Sequence, residues 1–191
     1  MPTPDRTSLD EIVAATRDLL ESNGVDGVSM RAVADRVGVR PPSLYKRVRS
    51  RDDLIRLLAE AAVDDLGERL ESVDRAGADA VTRLTILGHA LRDFARERPA
   101  GYRLIFSPPS ASAQLPPEVL ARATGPLFDL TSELAGPADA LEAARTVTAW
   151  ATGFIAMELA GSFRLGGDVD SAFEFGLSRI AAALARPSAA G

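Results

Sequence analysis

Apolar residues recur every three or four positions along almost the whole of this 191-residue chain, and no run alternates apolar and polar residues between turn signals. Only an α-helix places positions i, i+3, i+4 and i+7 on one face, so this period excludes most sheet-based folds. Ala, Leu, Arg and Glu dominate, and all four favour helix intrinsically. Breakers stand at Asn23-Gly24, Gly38, Pro41-Pro42, Pro99, Pro108-Pro109, Gly136-Pro137 and Gly166-Gly167. The pattern predicts an all-α chain of about nine helices.

The starts and stops are chemically specific. Ser8 with Glu11 fits a capping box, and Ile12, Val13, Ala15, Thr16, Leu19 and Leu20 follow on one face. Ser29 should cap a second helix over residues 30–37 that Gly38 stops. Pro41-Pro42 opens a short third helix over about residues 42–48, where a missing N–H costs nothing. Ser50 should cap a long fourth helix to about Val73, with Asp52 and Asp53 in its first turn complementing the helix dipole. The remaining spacing predicts helices near residues 78–98, 100–106, 118–134, 138–164 and 169–185. The Pro-, Ser- and Ala-rich stretch 107–117 is a predicted loop, and the tail 187–191 is expected to fray.

Composition excludes several function classes. The 46% apolar content suffices for a packed core, and the absence of Cys rules out disulfides and thiolate metal sites. The N-terminus lacks a basic segment followed by an apolar run, and the most apolar stretch, 149–165, contains Glu158 and Arg164. A soluble, cytoplasmic chain with no membrane partner is expected. No phosphate-binding loop or nucleophile–base pair is evident, so an enzyme is not expected, nor is a cofactor. Asp64, Asp65, Glu68 and Glu71 could be imagined as metal carboxylates, but no second acidic helix or His accompanies them, and such charges ordinarily form a solvated face. His89 is the single His; it suits an interhelical hydrogen bond or a pocket wall better than a metal site.

The charge is unevenly placed. Between Arg31 and Arg51 there are seven basic residues and one acid, a local +6 in a chain whose net charge is -5. A basic island on an acidic chain suggests that this end meets a polyanion. The island lies on two short helices joined by a tight turn at Gly38. Ala34 is small enough for a close helix crossing, while Val33, Val37, Val39 and Leu44 are spaced to fill the core beneath. Arg40, Pro41, Pro42, Ser43, Tyr45 and Lys46 would face outward. This is the helix-turn-helix pattern, and its partner would be duplex DNA.

The stretch MRAVADRVGVRPPSLYKRVRSRDDLI resembles the second helix, turn, third helix and start of the fourth in the TetR/AcrR family of transcriptional regulators. The resemblance implies an N-terminal three-helix DNA-binding domain, placed at residues 1–52, and a larger ligand-binding and dimerisation bundle at 53–191. It implies a third helix in the major groove. Tyr45 and Arg51 would touch phosphates, as would Ser29 and the opening amides of the second helix at Met30 and Arg31. Arg40, Pro41, Pro42, Ser43 and Lys46 would meet base edges. The family often has His and Phe where this chain has Arg47 and Val48; Arg47 adds a possible phosphate contact.

Outside residues 1–56 the net charge is −6, and aromatic residues gather. A helical bundle with inward aromatics can enclose an apolar ligand. His89, Phe94, Tyr102, Phe106, Phe128, Trp150, Phe154 and Met157 are the candidate lining, although a stripe such as Trp150, Phe154, Met157 equally suits plain core or a dimer seam. The stretch around Trp150 and Gly153 also resembles a TetR subgroup named for a Trp-His-Gly motif, with Thr152 in place of the His. Small residues crowd the last two helices, among them Ala156, Ala160, Gly161, Ala172 and Gly176. Together with the resemblance they point to a homodimer through those helices. The expected function is a sequence-specific DNA-binding regulator, a repressor released from its operator by a small, mostly apolar effector. The alternatives are a ligand-independent DNA-binding regulator and a helical enzyme.

Overall fold

The first helix begins as its sequence dictates: the Glu11 N–H donates to Ser8 Oγ (3.1 Å) and the Ser8 N–H donates to Glu11 Oε2 (2.8 Å). The computed structural model describes residues 8–74 and 78–185. Among them the regular structure is entirely helical: α1 (Leu9–Gly27), α2 (Met30–Val37), α3 (Pro41–Leu44), α4 (Arg51–Asp74), α5 (Ala80–Glu97), α6 (Pro99–Phe106), α7 (Pro117–Ala135), α8 (Ala140–Leu159) and α9 (Val169–Leu184), with a 3-10 turn at Ala111–Ala113. The tail expected to fray lies outside the described residues.

Two compact units emerge: Met1–Asp65 with Arg98–Val119, and Leu66–Glu97 with Leu120–Gly191. They do not follow the boundary after residue 52 placed from sequence. The reason lies in the core. Ile55, Leu58 and Ala59 of α4 pack with Leu20, Val28, Leu104 and Ala113, so the first part of α4 and all of α6 belong with the N-terminal helices. A second cluster joins Ile12, Val33, Ala34, Leu44, Val48 and Leu54. Ala34 is fully buried, which permits the close crossing of α2. Val48, smaller than the Phe often found there, is fully buried as well and closes this core.

In the other unit α5 packs on α8 and α9, and α8 on α9. Phe94, Phe173, Leu84, Leu130, Ile155 and Leu177 are its largest fully enclosed side chains, each burial worth roughly 1.5–3 kcal/mol. Two glycines allow the helices to approach. A Cβ on Gly88 would meet Leu177 at 2.5 Å, and one on Gly176 would overlap the Trp150 indole. Thr131 is buried and its hydroxyl donates to the carbonyls of Phe128 and Ala140 (both 3.0 Å), tying the end of α7 to the start of α8.

Two helices are shorter than the spacing predicts. The third keeps α-helical form only to Leu44; Tyr45 to Arg47 form a turn, and the N–H groups of Arg47 and Val48 both donate to Leu44 O (2.8 and 2.9 Å). The eighth ends at Leu159, not near Arg164. Gly161 takes φ 62° there, its N–H donates to Glu158 O (2.9 Å) and the Ser162 N–H to Met157 O (2.9 Å). That paired closure is the Schellman motif, which needs a left-handed residue just past the helix end and is favoured by Gly.

Candidate functional site

The basic island lies in the first unit, on α2, α3 and the turn into α4. Ser29 ends the turn after α1 and caps α2, its Oγ accepting from the Ala32 N–H (3.1 Å). The N–H groups of Met30 and Arg31 lie at the start of that helix, where amides point outward along the axis. Gly38, at φ 73°, reverses the chain in a left-handed turn, and the Val39 N–H reaches back to Ala34 O (3.0 Å). Arg40 then precedes α3, which opens with Pro41 and Pro42.

The exposure pattern around α3 sorts the predicted residues. Leu44 and Val48 point into the core, while Arg40, Pro42, Ser43, Lys46 and Arg47 are exposed and Pro41 is half-buried. Tyr45 is 55% exposed, a large apolar ring standing in solvent among cations. Arg31 is exposed too, with Asp35 at 3.9 Å. Arg36 of α2 pairs with Asp18 of α1 at 3.0 Å. Arg31, Arg40, Ser43, Tyr45, Lys46 and Arg47 are thus accessible, five of them within the short stretch from Arg40 to Arg47.

The turn leading into α4 is anchored by one carboxylate. Asp53 accepts from Arg56 Nη2 (2.7 Å) and from the Arg49 N–H (3.1 Å), and its own N–H donates to Ser50 Oγ (3.1 Å). The Arg56 hydrogen bond, with those from Arg49, holds the Asp53 carboxyl well below the usual carboxylate range, and Asp53 in turn raises the Arg56 guanidinium. The anchor therefore stays charged at any physiological pH. Arg51 behaves differently from its neighbours. It is half-buried, Nε donating to Val28 O (2.7 Å) and Nη2 to Val25 O (2.6 Å).

The candidate ligand residues do not form one set. Tyr102 and Phe106 stack at 4.8 Å in the first unit; burial pushes the Tyr102 hydroxyl up to about 12, so it stays protonated. Phe94 is fully buried in the second unit, with the Arg69 guanidinium 5.6 Å above its ring. Trp150, Phe154 and His89 meet through Phe173, at 5.2, 5.2 and 5.4 Å between ring centroids. His89 Nε2 also meets Glu174 Oε2 at 2.7 Å, an interhelical hydrogen bond of the kind expected for a lone His. Met157 is 48% exposed. Phe128 alone of the eight lines a groove of 480 Å³ between α7 and α8, with Leu127, Leu141, Ala144, Arg145 and Thr148.

The residue that organises the aromatic cluster went unnoticed in the sequence. Arg92, buried at 2% exposure, lies 4.5 Å from the Phe173 ring centroid and 5.8 Å from that of Phe154. It donates twice to Glu158 (2.8 and 2.7 Å) and lies 2.8 Å from Asp170; Arg96 bridges the same two acids, each at 2.6 Å. Burial pushes the Glu158 carboxyl up, but the hydrogen bonds from Arg92 and Arg96 outweigh it and hold it low; the same arginines hold Asp170 low. An Arg at this register, followed four residues later by another, was the available signal; its acids come from helices 60 and more residues away. Thr152, where the subgroup motif has His, turns its hydroxyl to Thr148 O (2.7 Å).

The imagined carboxylate site does not assemble. Asp65 pairs with Arg17 at 3.1 Å and with Arg98, and among the described residues no cluster of three or more His, Asp or Glu side chains is placed to hold a metal ion. Among them, also, no helix is long and apolar enough to cross a membrane.

Comparison with known proteins agrees with this fold. Residues 12–58 match the tetR family of bacterial regulatory proteins, and residues 84–180 match the tetracyclin repressor-like C-terminal domain. The HTH-type transcriptional regulator Rv1816 of Mycobacterium tuberculosis is 33% identical over 128 residues, covering 62% of this chain and 53% of its own length. The HTH-type transcriptional activator FasR of Mycolicibacterium smegmatis is 30% identical over 132 residues, 66% of this chain and 59% of its own length. The chain thus spans little more than half the length of these curated relatives. Among solved structures, a protein of unknown function from Rhodococcus sp. RHA1 superposes with TM-score 0.78 at 25% identity, covering 97% of this chain and all of that one. TetR from Acinetobacter baumannii AYE superposes with TM-score 0.69 at 20% identity over 93% of this chain and 96% of that one, a likeness of fold. On both sequence matches, the chain belongs to the TetR family of bacterial transcriptional regulators.

Proposed function

We propose that this protein is a sequence-specific DNA-binding regulator, and that the surface around α3 enters the major groove of its operator. One observation carries the reading: Arg40, Ser43, Tyr45 and Lys46 stand exposed on a single short turn whose other face, Leu44 and Val48, is locked in the core. Rigid backing is what base readout needs, because each bidentate contact depends on a fixed donor geometry. Arg40, Ser43 and Lys46 read base edges, with Pro41 and Pro42 as apolar neighbours. Tyr45, Arg47 and the α2 start at Ser29, Met30 and Arg31 hold phosphates.

The regulator acts as a homodimer through α8 and α9. Support comes from the large apolar side chains these helices leave in solvent, Met157 at 48% and Phe175 at 63% exposure, beside the small residues Ala156, Ala160 and Ala172. A mostly apolar small effector shifts the population away from the DNA-competent state, and the protein is a repressor. The α7–α8 groove, with its Phe128 and Leu141 walls and the Arg145 cation, is an apolar recess suited to such a molecule. The name of the relative FasR favours the opposite sign of regulation, an activator.

Fluorescence anisotropy with duplex from the gene's own upstream region, against random duplex, tests the reading. A preference of at least about 10³ for one sequence, with two protomers bound, supports it. Equal binding to all duplexes removes sequence-specific regulation, and no binding at low salt removes DNA. A promoter–reporter assay with and without the protein then decides the sign.

A further inference from the structure

Arg51, the last of the seven basic residues from Arg31 to Arg51, turns its guanidinium inward to backbone carbonyls. Its two hydrogen bonds go to Val25 O and Val28 O, at 2.6 and 2.7 Å. These carbonyls belong to the turn that follows the break in α1 at Gly24 (φ 69°) and delivers the chain to Ser29. Val28 is fully buried beside Ile55 and Leu58 of α4. The turn is therefore held to α4 twice, by an apolar plug and by a planar two-carbonyl clamp. The very next residue caps α2 and sets the direction of its opening amides.

We propose that Arg51 is a positioning residue: its guanidinium fixes the turn 25–28, and so aims Ser29 and the first amides of α2 at a phosphate, instead of neutralising a phosphate itself. The proposal rests on the DNA-binding reading above. The physics separates the two roles. An amide held at a helix N-terminus binds phosphate without releasing a counterion of its own, whereas a cation that neutralises a phosphate steepens the salt dependence of binding by about 0.9 per contact. Arg spans two acceptors with a rigid fork. Lys is a point charge that serves a phosphate but cannot bridge both carbonyls.

The test uses the full chain with Arg51→Ala, Arg51→Lys and, as the control at an exposed cation assigned to a phosphate, Arg47→Ala. The first readout is amide hydrogen exchange of the DNA-free proteins at a temperature where circular dichroism shows them folded. Both Arg51 variants should speed exchange across residues 28–33 by about tenfold or more, relative to an unchanged α9. Unchanged exchange there overturns the proposal whether or not any DNA is bound. The second readout is affinity for a 20-base-pair random duplex against salt. Arg51→Ala and Arg51→Lys should each weaken binding about tenfold at every salt concentration with the wild-type slope, while Arg47→Ala flattens the slope by about 0.9. A flattened slope in Arg51→Ala, restored by Lys, identifies a direct phosphate contact and overturns the proposal. Faster exchange with unaltered affinity also overturns it, reducing Arg51 to a structural tie. If Arg51→Ala does not fold, Arg51→Lys carries both readouts. Failure of the wild type to bind any duplex sinks the DNA-binding reading separately.

Discussion

Replacing Arg92 by Ala should destabilise the second unit by about 3 kcal/mol. The figure follows from what the guanidinium touches. Arg92 is 2% exposed and its principal partner Glu158 has a side chain only 15% exposed, so neither charge has bulk water as an alternative. Orphaning a buried ionic partner costs roughly 3–5 kcal/mol. Here Arg96 stays on Glu158 at 2.6 Å, so the penalty is below that range. Loss of the cation over the Phe173 and Phe154 rings adds about 0.5–2 kcal/mol, which brings the sum back to about 3. Urea unfolding is the assay, followed by circular dichroism and by the fluorescence of Trp150, the single Trp, which lies 5.2 Å from Phe173. With a urea slope of about 2 kcal/mol per M, the midpoint should fall by about 1.5 M. Arg96→Ala, removing a side chain 43% exposed, should cost well under half as much. The cluster also sets an acid limb. Glu158 and Asp170 are held below their ordinary values in the folded state, so their stabilisation is present above the unfolded carboxylate pKa and is lost as pH falls through the folded one. Arg92→Ala should therefore lose less stability on acidification than wild type. A cost under 1 kcal/mol at pH 7, or an unchanged acid limb, refutes the reasoning.

Three further outcomes follow. Gly176→Ala drives a methyl into the Trp150 indole and should cost about 1–3 kcal/mol, read by the same unfolding assay with an altered Trp150 emission. Gly161→Val forces a β-branched residue into φ 62°; a loss of about 1–2 kcal/mol is expected, and an unchanged melting temperature would show that α8 can end without the left-handed turn. Arg40→Ala and Lys46→Ala should each lower the operator-to-random affinity ratio, by about 1–3 kcal/mol for a residue that reads a base, while equal losses on both duplexes would make it a phosphate contact.

Helical period, caps and breakers were decided locally, and they were legible because local hydrogen-bonding chemistry imposes them. Ser8 with Glu11, Ser29 and Gly38 each do what their residue type favours wherever the chain goes next. The placement of Leu44 inward and Tyr45 outward was legible from the apolar spacing, since Leu44 continues the core pattern of Val33, Val37 and Val39 while Tyr45 stands among the cations. The early end of α8 was readable in principle from Gly161 and was masked by the apolar run on either side. Tertiary structure decided the rest, because it joins residues that no spacing connects. Only the packed chain turns Arg51 to the carbonyls of Val25 and Val28, more than 20 residues earlier. It alone scatters the eight aromatic and polar candidates, sending Tyr102 and Phe106 to one unit and Phe94 and Trp150 to the other. And it brings Arg92 to Glu158 and Asp170, where burial converts an ordinary surface pair of charges into the tie between three helices. Sequence by itself determined where helices start and stop and which end carries the positive charge; tertiary structure decided which charges remain in water, because desolvation depends on everything packed around a group and not on its neighbours in the chain.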